Sequence, residues 1–167
     1  MNLKSKTNFI INKVLISFVL CLFSLSANAA GGGSDSDGKA NMVKSSDYYT
    51  AMKLIKNKSY NAAIQNLLKA EQYNKKDADI YNYLGFSHRK IGDLEKASIY
   101  YNKALTISPK HKGALEYQGE MFLTLGELPK AEANLKKLSK LCFLGCKEEK
   151  MLKESISKFK KGKKSNY

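Results

Sequence analysis

Among 29 basic residues arginine occurs once, at position 89, so the guanidinium contacts with which nucleic-acid proteins grip phosphates and bases are nearly missing. No aromatic-basic motif replaces them, and nucleic acid is excluded as an expected partner. Histidine occurs only at 88 and 111, far apart and without a metal-ligand spacing, so no metal site is expected. There is no HExxH pair, no GxxxxGK[ST] loop and no nucleophile elbow. The expectation is a protein that is not an enzyme and carries no cofactor. Glu116 and Glu120, four residues apart, could serve acid-base chemistry. Lys112 lies four residues before Glu116, and charge pairing on a helix surface is the plainer reading.

Lys4, Lys6 and Lys13 precede an apolar stretch from Val14 to Leu25, followed by Ala27-Asn28-Ala29. That is the layout of a secretory signal peptide over residues 1–29, with cleavage after Ala29. The twelve residues of that stretch are fewer than the roughly 20 that cross a bilayer as a helix. Export to the periplasm, or secretion beyond it, is therefore expected. Removing the three lysines of the signal lowers the net charge from +14 to +11. Such a basic surface suits an anionic membrane, a cell-wall polymer or an acidic protein, and equally a plain solvated exterior. Residues 30–43 include AGGGSDSDGKA and read as a flexible linker, while residues 162–167 read as a basic tail.

Between these ends the chain repeats at a spacing of 34. Asp47, Tyr81 and Leu115 correspond, as do Ala51, Gly85 and Gly119, then Ala63, Ala97 and Ala131. Helical periodicity predicts three hairpins: about Lys44 to Asn57 with Tyr60 to Tyr73, Ala78 to Ile91 with Leu94 to Ile107, and Lys112 to Leu125 with Leu128 to Leu141. Gly92-Asp93 supplies a stop and a cap, Gly126 a second turn, Pro109 a break and Pro129 a helix start. A last amphipathic helix, about Cys146 to Phe159, carries Leu152, Ile156 and Phe159 on one stripe and should cover the open end of the stack.

The second repeat, with Tyr81, Leu84, Gly85, Ala97, Tyr101, Ala104 and Pro109, closely resembles a tetratricopeptide repeat. Ala51, Leu54, Ala63, Leu67 and Ala70 extend the resemblance to the first repeat, and Gly119, Phe122, Ala131 and Leu135 to the third. The resemblance implies an all-α, right-handed solenoid over residues 44–161, with repeats at about 44–77, 78–111 and 112–145 and a capping helix at about 146–160. It further implies a concave groove lined by the first helices. Groove residues would be Tyr48, Met52 and Ile55, then Asn82, Phe86, Arg89 and Lys90, then Glu116, Glu120 and Leu123, giving an apolar end, a basic middle and an acidic end. Such a groove suits an unidentified peptide or protein partner.

With Cys21 in the signal, Cys142 and Cys146 remain as an even pair. In an oxidising space a disulfide closing CFLGC is expected, helped by Gly145. The CxxxC spacing departs from the CxxC of redox sites. The sequence thus points to an exported adaptor, with a structural envelope component that binds anionic lipid or cell-wall polymer as the alternative.

Overall fold

Every hairpin turn is built by one motif recurring at the 34-residue spacing. The N–H groups of Ser59, Asp93 and Glu127 donate to the carbonyls of Leu54, His88 and Phe122, at 2.9, 2.9 and 2.8 Å. Each turn passes through one residue of positive φ: Lys58 at 60°, Gly92 at 87° and Gly126 at 76°. This arrangement satisfies the carbonyls left over at a helix end and reverses the chain tightly.

The computed structural model describes residues 43–163. The expected signal peptide, the linker up to Met42 and the tail beyond Lys163 lie outside the described residues. Among the described residues seven helices follow in order: α1 Ser46–Lys56, α2 Tyr60–Tyr73, α3 Ala78–Lys90, α4 Leu94–Ile107, α5 Lys112–Thr124, α6 Leu128–Leu141 and α7 Lys147–Lys160. Among the described residues there is no strand, and the architecture is an all-α solenoid of helical hairpins. The ends follow capping chemistry. Helix α1 starts at Ser46, later than Lys44, because Ser45 has extended backbone and its side chain accepts from the Tyr48 N–H. Helix α7 starts at Lys147 because Cys146 is itself an extended cap residue. Helices α3 and α5 each stop one residue early, at Lys90 and Thr124, where the turn into Gly92 and Gly126 begins.

Small residues set how closely the helices approach. Ala63, Ala97 and Ala131 are completely buried. A Cβ added to Gly85 would lie 2.6 Å from the Tyr101 ring, and one on Gly119 would lie 2.6 Å from Leu152. Large side chains thus rest directly on the backbone of the neighbouring helix. Tyr48, Ile64, Leu67, Tyr81 and Leu84 form the core of the first two hairpins. Leu115, Leu123 and Leu138 form the next layer, closed by Leu152 and Ile156 of α7. Burying each of those two aliphatic side chains contributes about 1.5–3 kcal/mol. A disulfide joins Cys142 to Cys146 across a Cα separation of 5.4 Å, with Gly145 at φ 81°, so the loop between α6 and α7 is closed covalently.

Lys58 is the one non-glycine residue of positive φ among the described residues. A left-handed conformation costs an ordinary residue about 1–2 kcal/mol. Lys58→Gly should therefore raise stability by about 1 kcal/mol, read as a higher urea midpoint at unchanged slope. A lower midpoint would mean that the lysine is not strained there.

Candidate binding groove

The first helices are fastened together at their N-termini. Asp77 and His111 stand 34 residues apart and cap α3 and α5. The Asp77 side chain accepts from the Asp79 N–H at 3.0 Å. His111 Nδ1 accepts from the Ala114 N–H at 3.0 Å, so the ring proton sits on Nε2 and is donated to Asp79 Oδ1 at 2.9 Å. From the other side Lys44 donates to Asp77 at 2.6 Å and to Asp79 at 2.8 Å. The His111 hydrogen bond, aided by Lys44, holds the Asp79 carboxyl well below the usual carboxylate range, against the opposing effect of burial. His111 is thus a cap and a link between two helices.

The expected groove residues divide into two groups. Phe86 is half-buried between Tyr60 and Tyr117, with ring centroids 6.0 and 4.9 Å away. Lys90 reaches over the Phe86 ring at 5.6 Å. Met52 is half-buried against the first core cluster. Tyr48 is buried beside Tyr83, its ring 4.7 Å below the Lys44 ammonium. The charged and polar group is placed differently from the expectation. Asn82, Arg89, Glu116 and Glu120 are 3%, 7%, 1% and 0% exposed. The basic middle and acidic end do not separate along an open surface, because α3 and α5 pack together and α7 closes over α5. The expected surface pairing of Glu116 with Lys112 is likewise replaced by burial of Glu116, while Lys112 stays exposed.

Burial pushes the Glu116 carboxyl up to about 8; the Glu120 charge adds to this, and Arg89 opposes it. Among the described residues Glu116 Oε1, Asn82 Oδ1, and Arg89 Nε and Nη2 make no hydrogen bond. Asn82 and Glu116 border a cleft of about 260 Å³ together with Tyr83, Tyr117 and, from α7, Lys147 and Glu148. Sequence reasoning missed Tyr83, Lys147 and Glu148. Tyr83 directly follows Asn82 in the repeat and was within reach of the pattern, whereas the α7 residues lie outside the repeat and had no such signal. His88 is buried, stacks on Tyr100 at 5.3 Å and pairs with Asp93 at 3.2 Å. Burial lowers its pKa, with Asp93 opposing.

A solenoid of helical hairpins with a cleft on its first-helix face defines a class of repeat scaffold. The particular fold is that of the tetratricopeptide repeat. The second such domain of human RPAP3, solved with the HSP70 peptide SGPTIEEVD, is 20% identical over 69% of this chain and 92% of its own, with a TM-score of 0.60. The Yersinia enterocolitica type III secretion chaperone SycD, in complex with a peptide of the translocator YopD, is 21% identical over 70% of this chain and 88% of its own, at 0.59. The Arabidopsis OM64 domain is 20% identical over 67% and 92%, at 0.61. The family model described as "Regulator of microtubule dynamics protein 1-3" matches residues 48–129. A search of curated proteins by sequence finds no match.

The raised Glu116 pKa has a definite sign. Folded, the carboxyl keeps a proton that the unfolded chain releases near pH 4.3, so the folded state loses relative stability as pH rises toward 8. Glu116→Gln removes this loss. The variant should gain on the parent between pH 5 and pH 8, with a ceiling of about 1.4 kcal/mol per pH unit. Denaturant titrations at three pH values measure it, and parallel pH profiles for the two proteins would contradict the assignment.

Proposed function

We propose that the chain is a non-catalytic adaptor of the cell envelope that binds a peptide or protein partner along the face of its first helices. One observation carries this reading. The half-buried rings of Phe86 and Tyr117 run beside a cleft bordered by Asn82 and Glu116, each of which keeps a buried oxygen that no described residue satisfies. Aromatic surface next to unsatisfied acceptors is what a binding partner can cover and complete. Peptides occupy tetratricopeptide domains in the RPAP3 and SycD complexes, which supports the same use here. The envelope location is supported by the basic, apolar and Ala-x-Ala succession at the N-terminus and by a disulfide suited to an oxidising space.

The test is covalent capture in intact cells from photo-reactive side chains placed at Phe86 and Lys90, which remain accessible where Asn82 and Arg89 do not. One reproducible protein partner is expected. Met52→Ala with Phe86→Ala should weaken its capture about tenfold without changing helicity. Capture unaffected by that pair of substitutions would remove the groove from the reading.

A second reading is favoured by a different feature. Phe143 and Leu144 are each 93% exposed at the tip of the disulfide-closed loop, and Lys140, Lys147 and Lys150 around them are exposed. Apolar tips within a basic collar suit an anionic lipid surface. If this surface operates, the protein should sediment with phosphatidylglycerol vesicles and not with phosphatidylcholine vesicles, and Phe143→Ser with Leu144→Ser should abolish sedimentation. Undiminished sedimentation of that variant would assign the binding to lysines in general.

A further inference from the structure

The buried polar cluster under the groove holds acceptors that no donor reaches. Arg89, Glu116 and Glu120 are each more than nine-tenths buried, and the Glu116 carboxyl feels both the Glu120 charge and the opposing Arg89 guanidinium. A buried acceptor left without a donor costs about 1–3 kcal/mol. Two such acceptors, Asn82 Oδ1 and Glu116 Oε1, belong to residues that line the same cleft, one from α3 and one from α5.

The lining decides which ligand charge fits. His111 cannot serve as a donor to a ligand, because its Nε2 proton is given to Asp79 and its Nδ1 accepts from Ala114. Glu148 stands at the rim and adds a further negative charge near Glu116, which Lys147, exposed beside it, opposes. A carboxylate or phosphate would therefore meet a buried carboxyl at the floor and few free donors. A cation would find acceptors already desolvated and, in exchange for the Glu116 proton, a carboxylate to pair with.

Size and geometry narrow the cation. The volume of about 260 Å³ lies below the roughly 300 Å³ at which small-molecule sites begin, and it suits one long side chain. The two free acceptors sit on different side chains and different helices, so they offer no single bidentate carboxylate to a planar guanidinium. An ammonium, a compact charge with three rotatable donors, can reach both. Tyr83 and Tyr117 border the same cleft and can pack against a methylene stem.

We propose that this cleft receives one lysine side chain of a partner peptide, with its ammonium donating to Asn82 Oδ1 and Glu116 Oε1 and its stem lying against Tyr83 and Tyr117. The proposal rests on the peptide-binding reading above and gives that reading a specificity.

The experiment uses two blocked, fluorescein-labelled peptides, Ala-Tyr-Ala-Lys-Ala-Tyr-Ala and its twin with norleucine in place of lysine, titrated with the protein and followed by anisotropy. The lysine peptide should bind about tenfold more tightly than its uncharged twin. Glu116→Gln keeps the shape of the side chain and is neutral at every pH, so folding is preserved, as a melting curve will verify. It should erase most of the preference for lysine while leaving the norleucine peptide unchanged, and Asn82→Ala should do the same. Equal affinity for the two peptides would overturn the lysine pocket and leave the groove as a peptide site. A preference for lysine that persists in Glu116→Gln would also overturn it, because the charge would then be read elsewhere. If neither peptide binds, the lysine pocket falls, and the groove reading is still judged separately by covalent capture.

Discussion

The fold depends on close approach of helices at positions where a side chain is nearly or wholly missing. Gly85 beneath the Tyr101 ring and Gly119 beneath Leu152 are the tightest of these approaches. Ala63, Ala97 and Ala131, equivalent at a second repeat position, are completely buried. Packing of this density tolerates little added volume. Because both glycines fall at one repeat position, the demand for a small residue recurs with each hairpin, and so does the spacing of the first helices. The same spacing brings Asn82 of α3 and Glu116 of α5 to the two sides of one cleft.

Electrostatics then build a site on that frame. The N-terminal fastening by Lys44, Asp77, Asp79 and His111 is complete, with each named pair within hydrogen-bond distance. Near Arg89 the network is less complete, since Asn82 and Glu116, which border the cleft, each keep an oxygen without a donor among the described residues. A fully satisfied network fixes structure, whereas one with spare acceptors holds interaction free energy that a partner can release. The chain's lone arginine belongs to this second network. Its 28 lysines are strongly hydrated and favour the exterior, while a guanidinium, more weakly hydrated and permanently charged, tolerates burial.

Much of the scaffold was legible because its causes are local and periodic. The 34-residue spacing, Gly92-Asp93 and Gly126 located the hairpins, and Leu152 with Ile156 marked the covering helix. Periodicity also placed a turn between Asn57 and Tyr60, but the positive φ at Lys58 was not legible, since no glycine announces it, although it stands 34 residues before Gly92. The site was less legible. Tyr48, Phe86 and Lys90 fall on the first-helix face, but the burial of Arg89, Glu116 and Glu120 arises from helices separated in sequence and from the way α7 closes over α5. A repeat pattern records which residues are equivalent, not which neighbour covers them, and α7 has no equivalent in the repeats. The two acceptors without donors could not be found from residue types, because satisfaction of a polar atom is a property of its surroundings.

The covering helix also makes the two ends of the solenoid unequal. Helix α7 is held by both α5 and α6, and the disulfide limits how far its start can drift, whereas α1 is held mainly by α2 and the Lys44 link. In a stack where each unit is supported by its neighbours, opening begins where support is least. Amide exchange should therefore rise in a gradient from the third repeat back toward α1. The last repeat, where the cleft meets α7, becomes the slow-exchanging anchor from which the rest of the solenoid propagates.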